Sequence, residues 1–186
     1  MTDPEALDEA VREAVEWLGC LDVVVANAGV FPVRPFEETT PEQWRGVMTV
    51  NVDGVANTLR ATLPTMREAR YGRVVVVSSG TVWFGVPNLV PYVTSKAALL
   101  GFVRSLAAEV AGDGITVNAI TPGLVATEGV DAGPIAGMVE GIVAGQLVKR
   151  PQRPEDLAST LLWLASPASG FVTGQTVNVD GGFAKH

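Results

Sequence analysis

The chain has 186 residues, of which 47% are hydrophobic, and a formal net charge of −7, so it is expected to fold as one domain around a sizeable core. The acidic balance and the lack of a basic cluster argue against nucleic acid as a partner. Because there is one cysteine and one histidine, an internal disulfide is excluded and a metal centre of these residues is not expected.

Neither a membrane span nor a secretory signal is expected. No apolar run approaches the roughly 20 residues that a membrane helix needs, and residues 1–5 are acidic, without the basic and apolar regions of a signal peptide. We therefore expect a cytoplasmic protein without a membrane partner. Cys20 is predicted to be a small buried apolar side chain, and a Ser-His-Asp triad is not favoured because it would have to use the C-terminal His186.

The first elements predicted along the chain are a helix and a buried strand. Asp3 is placed to cap a helix that starts at Pro4 and ends at Gly19. The apolar residues of this helix recur at helical spacing and predict one buried stripe: Leu7, Ala10, Val11, Ala14, Val15 and Leu18. The apolar run 21–26 then predicts a strand buried on both faces, as in a parallel sheet.

The later elements continue the alternation of helix and strand. Thr40 to Gln43 form a capping box that opens a long helix to about residue 69, which Pro64 is expected to bend. Further strands are predicted at 73–78, 115–120 and 175–179, further helices at 91–111 and 154–165, and a loop with a loosely formed helix at 124–150. This order predicts βαβ units, and so an α/β fold with a parallel sheet covered on both faces.

The spacing of Ser79, Tyr92 and Lys96 predicts a proton-transfer site. Tyr92 and Lys96 lie one turn apart on the same helix face, and Ser79 comes from the end of the preceding strand. A free tyrosine has a pKa of about 10, and a nearby cation is expected to lower it. Tyr92 can then exchange a proton with an alcohol or ketone oxygen, while Ser79 donates a hydrogen bond to the same oxygen.

Six motifs in order make the chain resemble the classical short-chain dehydrogenase/reductases. They are Asn27-Ala28-Gly29 after the first strand, Asn51 in the long helix, Ser79 after the second strand, Tyr92-x-x-x-Lys96, Pro122-Gly123 after the third strand, and Gly174-Gln175 with Asp180-Gly181-Gly182 at the end. The resemblance implies a Rossmann-like, doubly wound parallel sheet. It also implies hydride transfer between NAD or NADP and a ketone or secondary alcohol.

The resemblance gives individual residues a role. Asn51 would hold a water that links Lys96 to solvent, completing a catalytic set with Ser79 and Tyr92. Lys96 would also hydrogen-bond to the nicotinamide ribose, beside Tyr92. The other cofactor-lining residues would be Asn27, Ala28, Gly29, Pro122, Gly123 and Thr127. Family members usually form dimers or tetramers, so we expect a homodimer or homotetramer, often built through the helices that correspond to 41–69 and 91–111.

One part of the family pattern is not found in these 186 residues. Family members usually begin with a strand, a Gly-x-x-x-Gly-x-Gly turn that holds the pyrophosphate, and two more strands. The resemblance therefore implies a single domain, residues 1–186, of about four strands and without the first βαβαβ half. The strand at 21–26 would be an unprotected edge, explained by a longer natural chain, by a covering partner or by a natural remnant of altered function.

The expected substrate is a small hydrophobic carbonyl compound or alcohol. Residues 128–150 are small and apolar, which fits either a mobile lid over such a substrate or a cover packed in an oligomer interface. Trp83 and Phe84 follow Ser79 closely, and a substrate-binding role and ordinary packing are equally good interpretations of both.

Two other functions stay open at this point. The same acid and base groups would serve a cofactor-independent isomerisation, elimination or cyclisation, and dependence on a nicotinamide would distinguish that case. Alternatively, the chain is a truncated, non-catalytic paralogue that pairs with another chain, which a Tyr92→Phe substitution without any effect would favour.

Overall fold

The computed structural model describes residues 1–127 and 136–185, with a four-stranded parallel sheet at the centre. The strands are β1 (Val23–Ala26), β2 (Gly72–Val77), β3 (Ile115–Pro122) and β4 (Thr176–Val179). They are hydrogen-bonded in the order β1-β2-β3-β4, and all neighbouring pairs are parallel. The predicted α/β fold with about four parallel strands is confirmed.

One helix precedes the first strand, and the other helices lie between the strands in the chain. They are α1 (Pro4–Leu18), α2 (Pro41–Met48), α3 (Gly54–Ala69), α4 (Thr81–Phe84), α5 (Val90–Glu109), α6 (Val139–Gly145) and α7 (Pro154–Ala165). Short 3-10 turns lie at Phe36–Glu38, Ala111–Asp113, Ala136–Met138 and Pro167–Ser169. The predicted helices are confirmed within a few residues, whereas the sequence patterns did not indicate α4.

The caps predicted for the first two helices are present. Asp3 accepts a hydrogen bond from Ala6 N at the start of α1, and Gly19 ends this helix at φ 80°, a conformation that glycine adopts without strain. At the start of α2, Thr40 Oγ1 accepts from Gln43 N, and Gln43 Oε1 accepts from Thr40 N. These bonds satisfy backbone groups that a helix end otherwise leaves unpaired.

The long helix predicted for residues 41–69 is divided by a wider turn. Thr49–Asp53 is a π-helical turn between α2 and α3, in which hydrogen bonds run from i to i+5. The departure from α-helical geometry therefore lies at this turn, whereas Pro64 lies inside α3. The bend that Pro64 predicts stays a prediction.

Helices pack on both faces of the sheet. Val24 and Val74 project to the face of α3 and α5, where they join the larger of two apolar clusters. Val75 projects to the opposite face, against Leu164 of α7. Full burial of a valine or leucine of this kind contributes about 1.5–3 kcal/mol relative to its exposure, so these two layers supply much of the stability.

Strand β1 is buried on one face only, which corrects the prediction of burial on both. Val24 and Ala26 are buried, whereas Val23 and Val25 are 38% and 44% exposed. Val25 lies beside Val75 in the register and so faces the side on which α7 packs against β2 and β3. The strand is apolar throughout, but the covering layer does not extend over this part of it.

The predicted burial of α1 and of Cys20 is also corrected. Over its described length, Pro4–Leu18, α1 contains no buried residue; Leu7 is half-buried and Leu18 is 55% exposed. Cys20 is exposed, and its thiol donates a hydrogen bond to Asp22 Oδ2 over 3.3 Å. This bond and the negative charge of Asp22 raise the pKa of the Cys20 thiol.

The turn that enters β3 requires a glycine. Gly114 has φ +75°, in the left-handed region, and a β-carbon at this position would collide with Arg70 O. Arg70 itself ends α3 in a left-handed conformation. The chain segments that enter β2 and β3 therefore touch through backbone atoms.

Among the helices of the part of the chain that the structure describes, none is long and apolar enough to cross a membrane. Within residues 1–127 and 136–185, no three His, Cys, Asp or Glu side chains are grouped so that they could hold a metal ion. His186 lies outside the described residues.

Candidate active site

A cavity of about 780 Å³ opens beside the carboxyl ends of the strands, where open α/β sheets bind their ligands. Eight of the predicted site residues line it: Asn27, Gly29, Ser79, Tyr92, Lys96, Pro122, Gly123 and Thr127. Two others, Ala28 and Asn51, are not among its described lining residues. The structure therefore brings most of the predicted site together.

Helix α5 presents Tyr92 and Lys96 to the cavity from its first turns. It starts beside Pro91, whose missing N–H would be unpaired there in any residue. Lys96 is 4% exposed, and its Nζ donates a hydrogen bond to Val77 O at the end of β2 over 2.7 Å. The same Nζ lies 6.0 Å from the centroid of the Tyr92 ring. The ammonium group is thus anchored to the sheet and lies near the phenol.

Ser79 follows the end of β2 and is 7% exposed. The strand end is tied to β3, because Gly80 N donates a hydrogen bond to Pro122 O over 2.7 Å. Ser79 Oγ accepts hydrogen bonds from Thr81 N over 3.3 Å and from Thr81 Oγ1 over 3.0 Å. The Ser79 hydroxyl also acts on Tyr92, whose pKa it lowers.

Burial moves the pKa values of Tyr92 and Lys96 in opposite directions. It raises the pKa of Tyr92 above its ordinary value, and the hydrogen bond with Ser79 opposes this rise. It lowers the pKa of Lys96 to about 8, because an ammonium group is less stable away from water. The predicted lowering of the Tyr92 pKa is therefore corrected, since burial outweighs the opposing effect of Ser79. At neutral pH Tyr92 is a phenol.

Asn51 lies in the π-helical turn and is fully buried. Its Oδ1 accepts a hydrogen bond from Val30 N over 2.8 Å, and its Nδ2 donates to Val30 O and to Ser95 Oγ, both over 2.9 Å. Ser95 Oγ donates in turn to Tyr92 O over 2.7 Å. Asn51 therefore joins the loop after β1 to the helix that carries the tyrosine. The water-holding role implied by the family stays a prediction.

The loop after β1 approaches the buried lysine closely. A β-carbon at Gly29 would lie 3.1 Å from Asn51 Oδ1 and 3.3 Å from Lys96 Nζ, so glycine leaves space here that any other residue would fill. Asn27 lines the cavity on the same loop. Ala28 is exposed, outside the described cavity wall.

The wall beyond Ser79 and Tyr92 is apolar. Phe84 of α4 and Phe183 pack edge to face, with 4.8 Å between ring centroids. Other apolar side chains that line the cavity include Val86, Leu89, Met138, Ile142, Leu157 and Leu161. Trp83 instead packs against the larger apolar cluster and donates a hydrogen bond to Thr121 Oγ1 over 3.2 Å.

Two parts of this wall were not assigned from the sequence. Phe183 reaches the cavity because Asp180 Oδ1 accepts hydrogen bonds from the backbone of the turn after β4; the Asp180-Gly181-Gly182 motif was the available signal. Met138 and Ile142 come from the segment predicted as a lid or an interface cover, and the helix predicted in it is α6. Residues 128–135 of that segment lie outside the described residues.

The chain matches known proteins over nearly its whole length. The family model described as enoyl-(acyl carrier protein) reductase matches residues 1–184. Acetoacetyl-CoA reductase from Shinella zoogloeoides is 38% identical over 178 residues, which are 96% of this chain and 74% of that protein. The chain belongs to the short-chain dehydrogenase/reductase family. The family resemblance drawn from the motifs is thereby confirmed.

Other members of the short-chain dehydrogenase/reductase family give the same result. 3-Oxoacyl-[acyl-carrier-protein] reductase FabG from Thermotoga maritima is 35% identical over 182 residues, 98% of this chain and 74% of that protein. A crystal structure from Sinorhizobium meliloti 1021, described as a short-chain alcohol dehydrogenase, is 32% identical and superposes with a TM-score of 0.91, over 98% of this chain and 73% of that one. The Rossmann-like arrangement is thus that of the family.

Proposed function

We propose that this chain is a ketone reductase, which forms a secondary alcohol by hydride transfer from NADH or NADPH. The observation that carries the proposal is the grouping of Ser79, Tyr92 and Lys96 at a cavity beside the strand ends. Family membership supports it, as do relatives named as reductases of acetoacetyl-CoA and of a 3-oxoacyl carrier protein.

In this scheme Tyr92 supplies the proton. Its raised pKa keeps the phenol protonated at neutral pH, which suits donation to a ketone oxygen that is becoming an alcohol. Ser79 donates a hydrogen bond to the same oxygen and stabilises its developing negative charge. Lys96, held near the tyrosine ring, stabilises the phenolate that forms as the proton leaves.

The residues of the cavity fit the nicotinamide end of a dinucleotide. Space for a close approach exists at Gly29, where a β-carbon would lie 3.3 Å from Lys96 Nζ. Val77 O takes one of the three N–H groups of Lys96, and we assign the others to the ribose hydroxyl groups. Asn27 and Thr127 would line the bound cofactor. When bound, the nicotinamide supplies the hydride.

We further propose that the substrate is a ketone flanked by uncharged, apolar groups. Phe84 and Phe183 line the same cavity as the reacting side chains, and Phe31 packs edge to face on the Tyr92 ring with 6.0 Å between centroids. The charged residues in the described wall are Lys96 and Asp180, and the Asp180 carboxylate accepts hydrogen bonds from three backbone N–H groups of the following turn. A charged group beside the ketone would therefore be poorly accommodated. Acetoacetyl-CoA meets this requirement, because its ketone lies between a methyl group and a neutral thioester arm.

The test is reduction of acetoacetyl-CoA with NADH and with NADPH, followed by the absorbance of the reduced nicotinamide. Tyr92→Phe removes only the hydroxyl group and is expected to lower kcat by about 10²–10⁴-fold. Tyr71→Phe is the matched control, since Tyr71 precedes β2 and contacts the guanidinium of Arg73 outside the cavity. Equal loss of activity in the two variants would contradict the assignment of Tyr92.

Cofactor binding is measured separately, by titration calorimetry of the chain with NADH and NADPH. This measurement separates a failure to bind the cofactor from a failure of the chemistry, which matters because the 186 residues contain no Gly-rich pyrophosphate turn. Binding without ketone reduction would refute the substrate class. If the chain showed no binding and no reduction at millimolar cofactor, the reductase proposal for this chain would be refuted. A Tyr92-dependent elimination or isomerisation would then support the cofactor-independent alternative.

A further inference from the structure

The hydroxyl group of Thr81 contacts the predicted catalytic serine. Thr81 is the first residue of α4 and lines the same cavity as Ser79 and Tyr92. Its Oγ1 lies 3.0 Å from Ser79 Oγ, and its backbone N lies 3.3 Å from the same atom. The proposed reductase mechanism assigns no role to this threonine.

The hydrogen-bond capacity of Ser79 makes this contact informative. A serine hydroxyl has one proton to donate and two lone pairs that accept. The backbone N–H of Thr81 can only donate, so it takes one lone pair of Ser79 Oγ. If the Thr81 hydroxyl also donates, both lone pairs are used, and the Ser79 proton is left for a third partner. If Ser79 donated to Thr81 instead, it would have no proton for Tyr92 or for a ketone oxygen.

We propose that Thr81 is a positioning residue that holds the Ser79 hydroxyl as a hydrogen-bond donor toward Tyr92 and the reacting oxygen. Ser79 and Tyr92 line the same cavity, and Ser79 lowers the pKa of Tyr92, as expected of a hydroxyl that can donate to the phenolate. The kinetic part of the test below rests on the proposed reductase function, whereas its spectroscopic part does not.

The backbone around Thr81 is fixed well enough for this task. Gly80 N donates a hydrogen bond to Pro122 O, which holds the start of α4 against β3. At the other end, the indole of Trp83 donates to Thr121 Oγ1. Two anchors on the same strand therefore flank Thr81, so that its hydroxyl is held in place relative to Ser79.

The kinetic test compares single and double substitutions in ketone reduction. Thr81→Val keeps the shape of the side chain and is expected to lower kcat about tenfold, with KM nearly unchanged. The loss is smaller than the roughly 10²-fold loss expected for Ser79→Ala, because Ser79 stays in place and only its orientation is affected. Thr81→Ser is expected to recover most of the lost rate. In the Ser79→Ala background, Thr81→Val should have no further effect. Thr94→Val is the matched control, since Thr94 is exposed and its hydroxyl bonds within α5.

The spectroscopic test needs neither cofactor nor substrate. The chain contains two tyrosines, so in a Tyr71→Phe background the ultraviolet absorbance of tyrosinate reports Tyr92 alone. Thr81→Val is expected to raise the pKa of Tyr92 by about half a pH unit, because the bond from Ser79 weakens. Ser79→Ala should raise it at least as much, and the double variant no more than Ser79→Ala.

The two tests separate the two proposals. An inactive wild-type chain would refute the reductase function, while the tyrosine titration would still decide the role of Thr81. If Thr81→Val left both kcat and the Tyr92 pKa unchanged, or shifted them equally with and without Ser79, the positioning role would be refuted. Thr81→Ala, which carries no β-branch, replaces Thr81→Val if circular dichroism shows that the valine variant does not fold.

Discussion

Replacing Asn51 by alanine is expected to lower the free energy of unfolding by about 2 kcal/mol. The side chain is fully buried and makes three hydrogen bonds, two with the backbone of Val30 and one with Ser95 Oγ. At about 1 kcal/mol for each bond, the loss would be about 3 kcal/mol. Val30 is 41% exposed, so water can replace its bonds in part, which reduces the expected loss.

The assay is urea unfolding followed by tryptophan fluorescence and by circular dichroism, so that agreement of the two probes tests for a two-state transition. A loss of 2 kcal/mol in a chain of this size corresponds to about 4–8 °C in Tm. Asn57→Ala is the matched control in the following helix α3. Asn57 is half-buried, and its Nδ2 reaches Met1 O over 3.4 Å, a contact too long to contribute much. Its Oδ1 accepts a hydrogen bond from Arg60 Nη1 over 3.0 Å, but this bond is exposed to water.

The reasoning about Asn51 would be refuted if the two alanine variants had the same stability. A double-mutant cycle with Ser95→Ala sharpens the test, because the direct bond predicts a coupling of about 1 kcal/mol between Asn51 and Ser95. Additive effects of the two substitutions would show that Asn51 does not tie the loop after β1 to α5.

Three further predictions concern stability and thiol chemistry. Raising the pH from about 8 to about 10 should stabilise the wild type relative to Lys96→Met by up to about 2 kcal/mol in urea titrations. The pKa of Lys96 is about 8 when folded and higher when unfolded, so the unfolded chain binds the proton more tightly in this window. The comparison with Lys96→Met is needed because the raised pKa values of Cys20 and Tyr92 act in the opposite direction. The same pH dependence in both proteins would contradict the assignment. In thermal melts, Gly114→Ala should lower the free energy of unfolding by at least about 2 kcal/mol, because position 114 has a positive φ and a β-carbon there would collide with the backbone. Gly112→Ala is the control and should be tolerated, since a β-carbon there meets nothing within 4 Å. Cys20 should react with a thiol reagent in the native protein. Asp22→Asn should speed this reaction near neutral pH, because it removes the carboxylate that raises the pKa of the thiol. Equal reaction rates in the two proteins would show that Asp22 does not control the thiol.

The secondary structure was largely predictable because its signals are local. The caps at Asp3 and Thr40 depend on residues within one turn of the helix start, and the structure contains both. The apolar runs placed the strands for the same reason. Burial was less predictable, because it depends on distant elements. β1 is apolar throughout, yet Val23 and Val25 are exposed where no helix of the described chain covers them.

In the candidate site, too, the features that depend on local spacing were predictable and those that depend on burial were not. The four-residue spacing of Tyr92 and Lys96 was enough to place both at one cavity. The pKa shifts were not predictable from spacing, because burial raises the pKa of Tyr92 and exceeds the opposing effect of Ser79. The contact between Thr81 and Ser79 was missed as well, since no pattern in the sequence indicated the short helix that starts at Thr81.

The π-helical turn at Thr49–Asp53 also sets the rotation of α3 relative to α2 about the helix axis, so that their buried faces stay aligned. Across the turn, three buried residues lie at four-residue intervals: Val47, Asn51 and Val55. In an α-helix each such interval overshoots a full rotation by about 40°, so the sequence alone would wind this stripe away from the core. A wider turn holds more residues per rotation and resets the azimuth of α3 relative to α2. Removing one residue from the turn should therefore let α2 and α3 join as one regular α-helix with nearly the same relative azimuth, whereas removing one residue from within α2 would rotate the residues before it by about 100°.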